Sequence, residues 1–294
     1  MSPGTARSPV VPALRSARAV VFDTDGVLTD SARVHAAAWK EAFDAWLTAL
    51  PRDTTATART TTGATTGATT GATTGATDDS AGIGAAARRP FDAAEDYRRY
   101  VDGRSRLDGA AAFLAARGLP ADRAAVEAVA ADKERRFTER LRARPVAAYP
   151  GSVRLLRALR GAGVPMAAAS ASRHAREVLA GAGLLELFDA LVDGVEAARL
   201  GLPGKPDPAL FLEAARRLGV PPGRCALVED ALAGVEAGRR GGFAPVVGVD
   251  RAAGAGGAGT GAGTPTARAL RRHGADLVVA DLAELLAGRE GEPA

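Results

Sequence analysis

The stretch that decides the fold is Val20-Val21-Phe22-Asp23-Thr24-Asp25-Gly26-Val27. The apolar run at residues 18–23 predicts a buried strand that ends abruptly in two aspartates. Asp23 and Asp25 would then lie at the carboxyl end of that strand, where open α/β sheets bind their ligands. Two carboxylates this close repel each other, so the pair requires a nearby cation or a proton. Because Asp-Gly is also a common turn pair, a simple polar exit from the strand is the alternative.

A regular alternation of strands and helices follows from residue 152 onward. Short apolar runs are separated by amphipathic segments, which is typical of parallel βαβ units. The sequence therefore predicts an α/β protein with a doubly wound parallel sheet, similar to a Rossmann core. The predicted strands are 164–169, 190–192, 225–228, 245–249 and 276–280, and the predicted helices are 152–161, 173–182, 207–218, 231–240 and 281–287.

Helical patterns at 33–47, 92–101, 108–117 and 121–142 predict an all-helical unit inserted after the first strand. A Thr-Thr-Gly-Ala repeat from Thr60 to Thr77 interrupts them, and it has no large apolar side chain to bury. We therefore expect a disordered insertion there, and a second low-complexity loop at 252–264. The predicted division is a flexible leader at 1–17, an α/β catalytic core at 18–30 and 146–288, a helical cap at 31–145 containing the disordered tract at about 52–89, and a tail at 289–294.

The composition limits the partners and the compartment. The 294 residues are 47% hydrophobic, and the net charge of +4 comes from scattered arginines without interleaved aromatic residues, so we expect no nucleic-acid partner. No apolar run approaches ~20 residues, which argues against a membrane partner. Cys225 is the single cysteine, and residues 1–17 lack the apolar region of a secretory signal. We therefore expect a cytoplasmic protein, and we expect it to be a monomer.

Polar side chains also end three later strands of the predicted sheet. These are Ser170, the pair Glu229-Asp230, and Asp250. Since the carboxyl ends of parallel strands share one edge, several of them can converge on Asp23. Oxygen ligands alone suit Mg²⁺, whereas no His or Cys set has the spacing of a zinc site. Lys205, in a Gly-Lys-Pro loop, would offset a phosphate or carboxylate charge, with a solvated loop lysine as the alternative.

The order Asp-x-Asp-Gly, Ser, Lys-Pro and Glu-Asp resembles the four motifs of the haloacid dehalogenase superfamily. The resemblance covers roughly residues 18–50 and 90–287. It implies that the carboxylate of Asp23 is the nucleophile, which forms an aspartyl-phosphate, and that Asp25 is the general acid and base. It also implies that Ser170 and Lys205 hold the phosphoryl oxygens. Mg²⁺ would be held by Asp23, the Asp25 carbonyl, Glu229 and Asp230.

Within that superfamily the chain is similar to the β-phosphoglucomutase-like members. The similarity lies in the continuation of the first motif through Ser31, in the loop Val101 to Gly109, and in the segment Ala169 to His174. It implies a set of substrate-binding residues: His35, Trp39, Arg106, Lys133, Ser172 and Arg173. An ordinary core role is the alternative for Trp39 and His35, and solvated charge for Arg106 and Lys133. Many mutases carry Asn where this chain has His174.

The resemblance implies a phosphorylated sugar as substrate. The expected reaction interconverts β-D-glucose 1-phosphate and glucose 6-phosphate through the aspartyl-phosphate and a β-glucose 1,6-bisphosphate. A sugar-phosphate phosphatase with the same core is the first alternative. A non-enzymatic interaction module is the second, and it is disfavoured because every chemical position of the four motifs is retained.

Overall fold

The computed structural model describes residues 10–11, 14–50, 84, 86–251 and 263–286. Most of the tract expected to be disordered at about 52–89 lies outside these residues, as do most of the loop at 252–264 and the tail at 289–294. No helix in the described part of the chain is long and apolar enough to cross a membrane.

A six-stranded parallel sheet forms the centre of the molecule, in the order β3-β2-β1-β4-β5-β6. The prediction of a doubly wound α/β fold is confirmed. The first strand lies in the middle, and the chain leaves it to one side through β2 and to the other through β4, which creates a crevice at its carboxyl end. The strands are β1 Ala19–Phe22, β2 Met166–Ala169, β3 Ala190–Val192, β4 Cys225–Glu229, β5 Val246–Val249 and β6 Leu277–Val279.

Helices cover both faces of the sheet. Val20 and Phe22 point into one apolar layer, while Ala19 and Val21 point into the other, as expected for the alternating side chains of a strand buried on both faces. The flanking helices are α4 Pro150–Gly161, α5 Ala175–Gly181, α6 Gly194–Leu200, α7 Ala209–Leu218, α8 Leu232–Arg240 and α9 Pro265–His273.

Three features of the core differ from the sequence prediction. Helices α6 and α9 were not predicted, although each has a start signal: Asp193 caps the first, and Thr264 followed by Pro265 opens the second. The predicted helix at 281–287 is a short 3₁₀ turn, Leu282–Leu285. The prediction of a flexible leader is wrong for Val10 and Leu14, which are buried in the core because their apolar side chains cover its edge.

The inserted helices build an apolar core of their own. They are α1 Ser31–Ala49, α2 Arg106–Ala116 and α3 Arg123–Ala143. Phe43, Phe91 and Phe113 stack with ring centroids 4.1 to 5.2 Å apart, with Trp39 against Phe43 at 5.0 Å. The predicted helix at 92–101 is a π-helical turn, Tyr97–Val101, and the Asp92 carboxylate before it accepts hydrogen bonds from the Ala94 and Glu95 amides. We propose that this unit is the cap.

Two chain segments connect the cap with the core, and they run side by side. The Asp30 amide donates to the Ala147 carbonyl at 3.0 Å, and the Tyr149 amide donates to the Leu28 carbonyl at 3.0 Å. The Tyr149 hydroxyl also donates to the Asp30 carboxylate at 3.1 Å. The cap therefore meets the core through a paired connection directly behind the aspartates that follow β1.

Candidate active site

The carboxyl ends of the three central strands bring the predicted polar residues together. Asp23 follows β1, Ser170 follows β2 and Glu229 ends β4, and all three are buried. The strand register places these ends side by side. Asp250, which follows β5, is not part of this group, because its carboxylate accepts a hydrogen bond from the Thr264 hydroxyl at the start of α9.

Lys205 joins two of the acids in a buried ion-pair cluster. Its ammonium donates to the Asp23 carboxylate at 2.6 Å and to the Glu229 carboxylate at 2.6 Å. The same ammonium lies 4.6 Å from the centre of the Phe211 ring. Burial alone would lower the pKa of Lys205, but the two carboxylates outweigh it and raise the pKa. The lysine is therefore charged, which rules out the solvated loop lysine that the sequence left open.

Asp25 lies beside this cluster and has a separate set of partners. The Ser31 hydroxyl donates to its carboxylate at 2.5 Å and the Ser170 hydroxyl at 3.1 Å. Burial raises the pKa of Asp25. The interaction with His35 and these two hydrogen bonds lower it by more than burial raises it, so the net shift of the pKa is downward. In this arrangement Asp25 is a carboxylate, the form that accepts a proton.

His35 connects Asp25 to the cap. The Lys133 ammonium can only donate, so the His35 Nδ1, at 2.9 Å from it, accepts, and the imidazole proton lies on Nε2. That Nε2 is 3.4 Å from the Asp25 carboxylate and has no hydrogen-bond partner among the residues that the structure describes. Burial and the charge of Lys133 lower the pKa of His35, so the ring is neutral.

Several acidic side chains lie close together in this pocket. Besides the acids paired with Lys205, Asp230 and the cap residue Asp102 face the same space. Burial raises the pKa of Asp230 well above its usual value, and the neighbouring carboxylates raise it further. The same two causes raise the pKa of Asp102 to about 7. Such a cluster favours binding of a further cation.

The donor set fits Mg²⁺ by its chemistry. Both carboxylate oxygens of Glu229 accept a hydrogen bond, one from Lys205 and the other from the Ala231 amide at 2.5 Å, and both oxygens of Asp23 do the same, with Lys205 and the Asp25 amide as donors. Among the described residues no three His, Cys, Asp or Glu side chains are arranged to hold a metal ion. The predicted oxygen donors are therefore the carboxylates of Asp23, Asp230 and Glu229 and the carbonyl of Asp25, and Mg²⁺ commonly uses one or two carboxylates with water and substrate phosphate.

Gly26 lets the two acidic loops approach each other. Its φ of +81° is in the left-handed region, and a Cβ on this residue would overlap the carboxylate of Asp230. The glycine of the Asp-x-Asp-Gly motif is therefore required twice, for the turn itself and for the approach of the β4 loop to the β1 loop.

A cavity of about 350 Å³ opens between this cluster and the cap. The structure brings all six predicted substrate-binding residues to its wall: His35, Trp39, Arg106, Lys133, Ser172 and Arg173. Trp39 is buried and stacks on Phe43, so it also belongs to the core of the cap. Lys133 is buried as well, with its ammonium 5.5 Å from the Trp39 ring centre.

Sequence reasoning missed several residues of this pocket. Ser31 lies one helical turn before His35, and that spacing of four residues could have indicated a shared face. Glu134, Tyr97 and Asp102 gave no signal, because each reaches the pocket only through the packing of the cap.

Comparisons with known proteins agree with this geometry. A family model described as haloacid dehalogenase-like hydrolase matches residues 17–242. The chain belongs to the haloacid dehalogenase-like hydrolase family. The match covers the four acidic and basic motifs together with the helical insertion, so the resemblance predicted from the motifs is confirmed.

Relatives place the chain more closely within the haloacid dehalogenase-like hydrolases. A β-phosphoglucomutase of Mycobacterium bovis is 40% identical over 289 residues, which is 95% of each chain. A trehalose-phosphate phosphatase of Mycobacterium leprae is 38% identical over 139 residues, which is 46% of this chain and 28% of that protein. A crystal structure of β-phosphoglucomutase from Clostridium difficile has a TM-score of 0.64 at 22% identity, covering 92% of this chain and 93% of its own. The chain is thus a β-phosphoglucomutase-like enzyme of the phosphotransferase or hydrolase type.

Proposed function

We propose that this enzyme is a β-phosphoglucomutase, which interconverts β-D-glucose 1-phosphate and glucose 6-phosphate through a bound β-glucose 1,6-bisphosphate. The observation that carries the proposal is the cavity between core and cap. It brings Asp23 and Asp25 into one space with Arg106, Lys133 and Trp39 of the cap. A cap that covers the nucleophile favours transfer to a bound sugar over transfer to water.

The proposed first step is the attack of an Asp23 carboxylate oxygen on the phosphorus of the bisphosphate. The bond from phosphorus to the sugar oxygen breaks, and that oxygen takes the proton that Asp25 gained from a sugar hydroxyl in the preceding half of the cycle. Lys205 and Ser170 hold the phosphoryl oxygens, and the lysine charge offsets the repulsion between a phosphate dianion and the incoming carboxylate. Asp23 then carries the phosphoryl group as an aspartyl-phosphate.

The return step uses Asp25 in the opposite direction. Asp25 removes the proton of a sugar hydroxyl, the hydroxyl oxygen attacks the phosphorus, and the bond to Asp23 breaks. The hydrogen bond from Ser31 stabilises the carboxylate form of Asp25 that this step needs. The Ser170 hydroxyl, which donates to Asp25 in the structure, would donate to a phosphoryl oxygen instead. A carboxylate at Asp25 is thus the form that a phosphorylated enzyme needs when it takes up a sugar monophosphate.

The cap supplies the distal contacts in this proposal. Arg106 at the start of α2 and Arg173 in the loop after β2 line the cavity and would bind the far phosphate of the bisphosphate. Ser172 would donate to the same phosphate. Lys133 holds His35 in the tautomer whose Nε2 proton is directed at Asp25. Such a contact restrains Asp25 until a substrate fills the cavity.

Mg²⁺ would be held by the carboxylates of Asp23, Asp230 and Glu229 and by the Asp25 carbonyl. When bound, the ion supplies positive charge that neutralises the phosphoryl oxygens. The close grouping of the Asp23, Asp230 and Glu229 carboxylates around Lys205 supports this assignment.

A phosphatase acting on a sugar phosphate is the second candidate. Its support is the segment of 139 residues shared with the trehalose-phosphate phosphatase. The two candidates use the same attack by Asp23 and differ in the molecule that accepts the phosphoryl group, which is a sugar hydroxyl in one and water in the other.

A product assay distinguishes them. The purified enzyme is supplied with Mg²⁺, a trace of β-glucose 1,6-bisphosphate and either β- or α-glucose 1-phosphate. We expect glucose 6-phosphate as the main product from the β anomer, and none from the α anomer. Free phosphate as the main product would overturn the mutase proposal in favour of the phosphatase. Asp23→Asn serves as the control, since it should abolish both products.

A further inference from the structure

One ion pair joins the cap directly to the core beside the cavity. His174 lies in the loop between β2 and α5, and its Nε2 faces the carboxylate of Glu134 on cap helix α3 at 2.9 Å. Its Nδ1 faces the carboxylate of Glu177 on α5 at 3.1 Å. The side chains of His174 and Glu134 are 17% and 29% exposed, so water screens this pair only in part.

The geometry of His174 fixes its protonation state. Carboxylates only accept hydrogen bonds, whereas a neutral imidazole has one N–H to donate. Both contacts can be made at once only if both ring nitrogens carry a proton. The hydrogen bond to Glu134 raises the pKa of His174, burial opposes it, and the hydrogen bond to Glu177 adds to the rise.

Besides Glu134, two further residues of helix α3, Lys133 and Phe137, contact side chains near Asp25 and His174. Lys133, the preceding residue, donates to His35 Nδ1. Phe137, one turn later, stacks on the His35 ring at 4.0 Å between centroids and lies 5.2 Å from the His174 ring. A contact that holds α3 against the core therefore also holds His35 in place beside Asp25.

We propose that His174 is a positioning residue whose imidazolium clamps cap helix α3 to the core through Glu134, so that closure of the cap requires a proton on His174. His174 acts on Asp25 through Lys133 and His35, with no contact of its own to the acids that follow β1. The clamp itself is independent of the reaction, whereas its effect on the products rests on the proposed mutase function.

The charged groups around the pair decide which residue titrates. The hydrogen bond from His174 lowers the pKa of Glu134 to about 2 against the opposing effect of burial, and Lys133 and Arg106 lower it further. His35, from α1, is neutral. Glu134 therefore stays ionised near neutral pH. Burial lowers the pKa of Lys133 to about 8, so this ammonium also loses charge between pH 6 and pH 9, and the His174 and Glu134 variants described below separate its titration from that of His174.

The sign of the pH dependence follows. Closure raises the pKa of His174, so the clamp is fully present below the ordinary value for histidine, about 6.5. It weakens as the pH rises through the higher value of the closed form. An alkaline solution should open the cap and let water reach the phosphorylated Asp23.

The first test measures the distance between cap and core. Spin labels are placed on cysteines introduced at Glu127 on α3 and Glu186 in the turn after α5, both exposed, while the native Cys225 is buried. Electron spin resonance of the full chain at pH 6 and pH 9 should show a closed distance at pH 6 and a longer one at pH 9. If His174 and Glu134 are both present and the distance is the same at pH 6 and pH 9, the proposal is overturned.

Variants separate the clamp from a merely structural role. Glu134→Gln should remove the pH dependence of the distance, and His174→Arg, which keeps a positive charge at both pH values, should hold the cap closed at both. Glu177→Gln is the matched control, because Glu177 belongs to the core, and it should retain the pH dependence. A pH response that persists in Glu134→Gln, or an open cap at pH 9 in His174→Arg, would overturn the proposal.

The second test follows the products. The ratio of phosphate released to glucose 6-phosphate formed should rise about three- to tenfold between pH 6.5 and pH 9, which is the range for a partly shielded charged pair. In His174→Arg the ratio should stay constant, and a ratio that rises there as in the unmodified enzyme would contradict the clamp. If no glucose 6-phosphate forms while the distances behave as expected, the mutase proposal falls and the clamp stands.

Discussion

Replacing Lys205 by methionine tests the buried cluster most severely. Lys205 is almost completely buried, and its ammonium is the countercharge for both Asp23 and Glu229 at 2.6 Å. Methionine has a similar volume and no charge, so the substitution leaves two buried carboxylates without a partner while changing the packing little.

The magnitude follows from the burial of these groups. Removing one partner of a buried ion pair typically costs about 3–5 kcal/mol, because the remaining charge stays desolvated. With a urea m-value of about 3 kcal/mol/M for a protein of this size, the midpoint should fall by about 1–1.7 M. In Lys205→Met/Glu229→Gln only Asp23 stays unpaired, so about half of the loss should be recovered.

The assay is urea unfolding followed by circular dichroism, with equal protein concentrations and no added metal. Arg123→Met is the control, since it breaks an ion pair whose arginine is exposed to solvent, and it should leave the midpoint unchanged. The reasoning is refuted if Lys205→Met unfolds at the same urea concentration as this control, or if the double variant is less stable than the single one.

Three further predictions concern the turn, the acid–base residue and the cap. Gly26→Ala should abolish activity, whereas Gly118→Ala, with the same left-handed φ but open space around it, should cost only about 1 kcal/mol of stability; equal activity in the two variants would contradict the account. Ser31→Ala removes a hydrogen bond that lowers the pKa of Asp25, so the acid limb of the kcat/KM profile should move to higher pH; an unmoved limb would show that the bond is not made in solution. Phe113→Ala should destabilise the cap by about 3–5 kcal/mol in thermal unfolding, and a loss below about 1 kcal/mol would mean that the aromatic cluster does not support it.

Much of the core could be predicted from the sequence because local pattern and final position agree there. A central strand that is buried on both faces is apolar throughout, so residues 19–22 could be recognised as a strand from their composition. The polar residues that follow β1, β2 and β4 lie together because the carboxyl ends of parallel strands share one edge of the sheet. Lys205 was identifiable only from its motif, since nothing local shows that a loop lysine will be buried between two acids.

The remainder depended on contacts between distant segments. Glu134 and His174 are separated by a complete helix–strand unit, and only the packing of the cap on the core brings them together. The burial of Val10 and Leu14 likewise depends on residues far along the chain, since both pack in one apolar cluster with Leu282 and Leu285. The role of Glu229 was also set by tertiary structure, because its two oxygens are engaged by Lys205 and by the Ala231 amide.

The central claim is that Asp23 accepts a phosphoryl group and passes it to a sugar. Single-turnover quenching with β-glucose 1,6-bisphosphate labelled with ³²P at one phosphate tests it directly, with peptide mapping to locate the label. The account predicts transient label on Asp23 that is then recovered in sugar phosphate when glucose 1-phosphate is present. Label that never appears on Asp23, or that leaves it mainly as free phosphate in the presence of the sugar, would contradict the account.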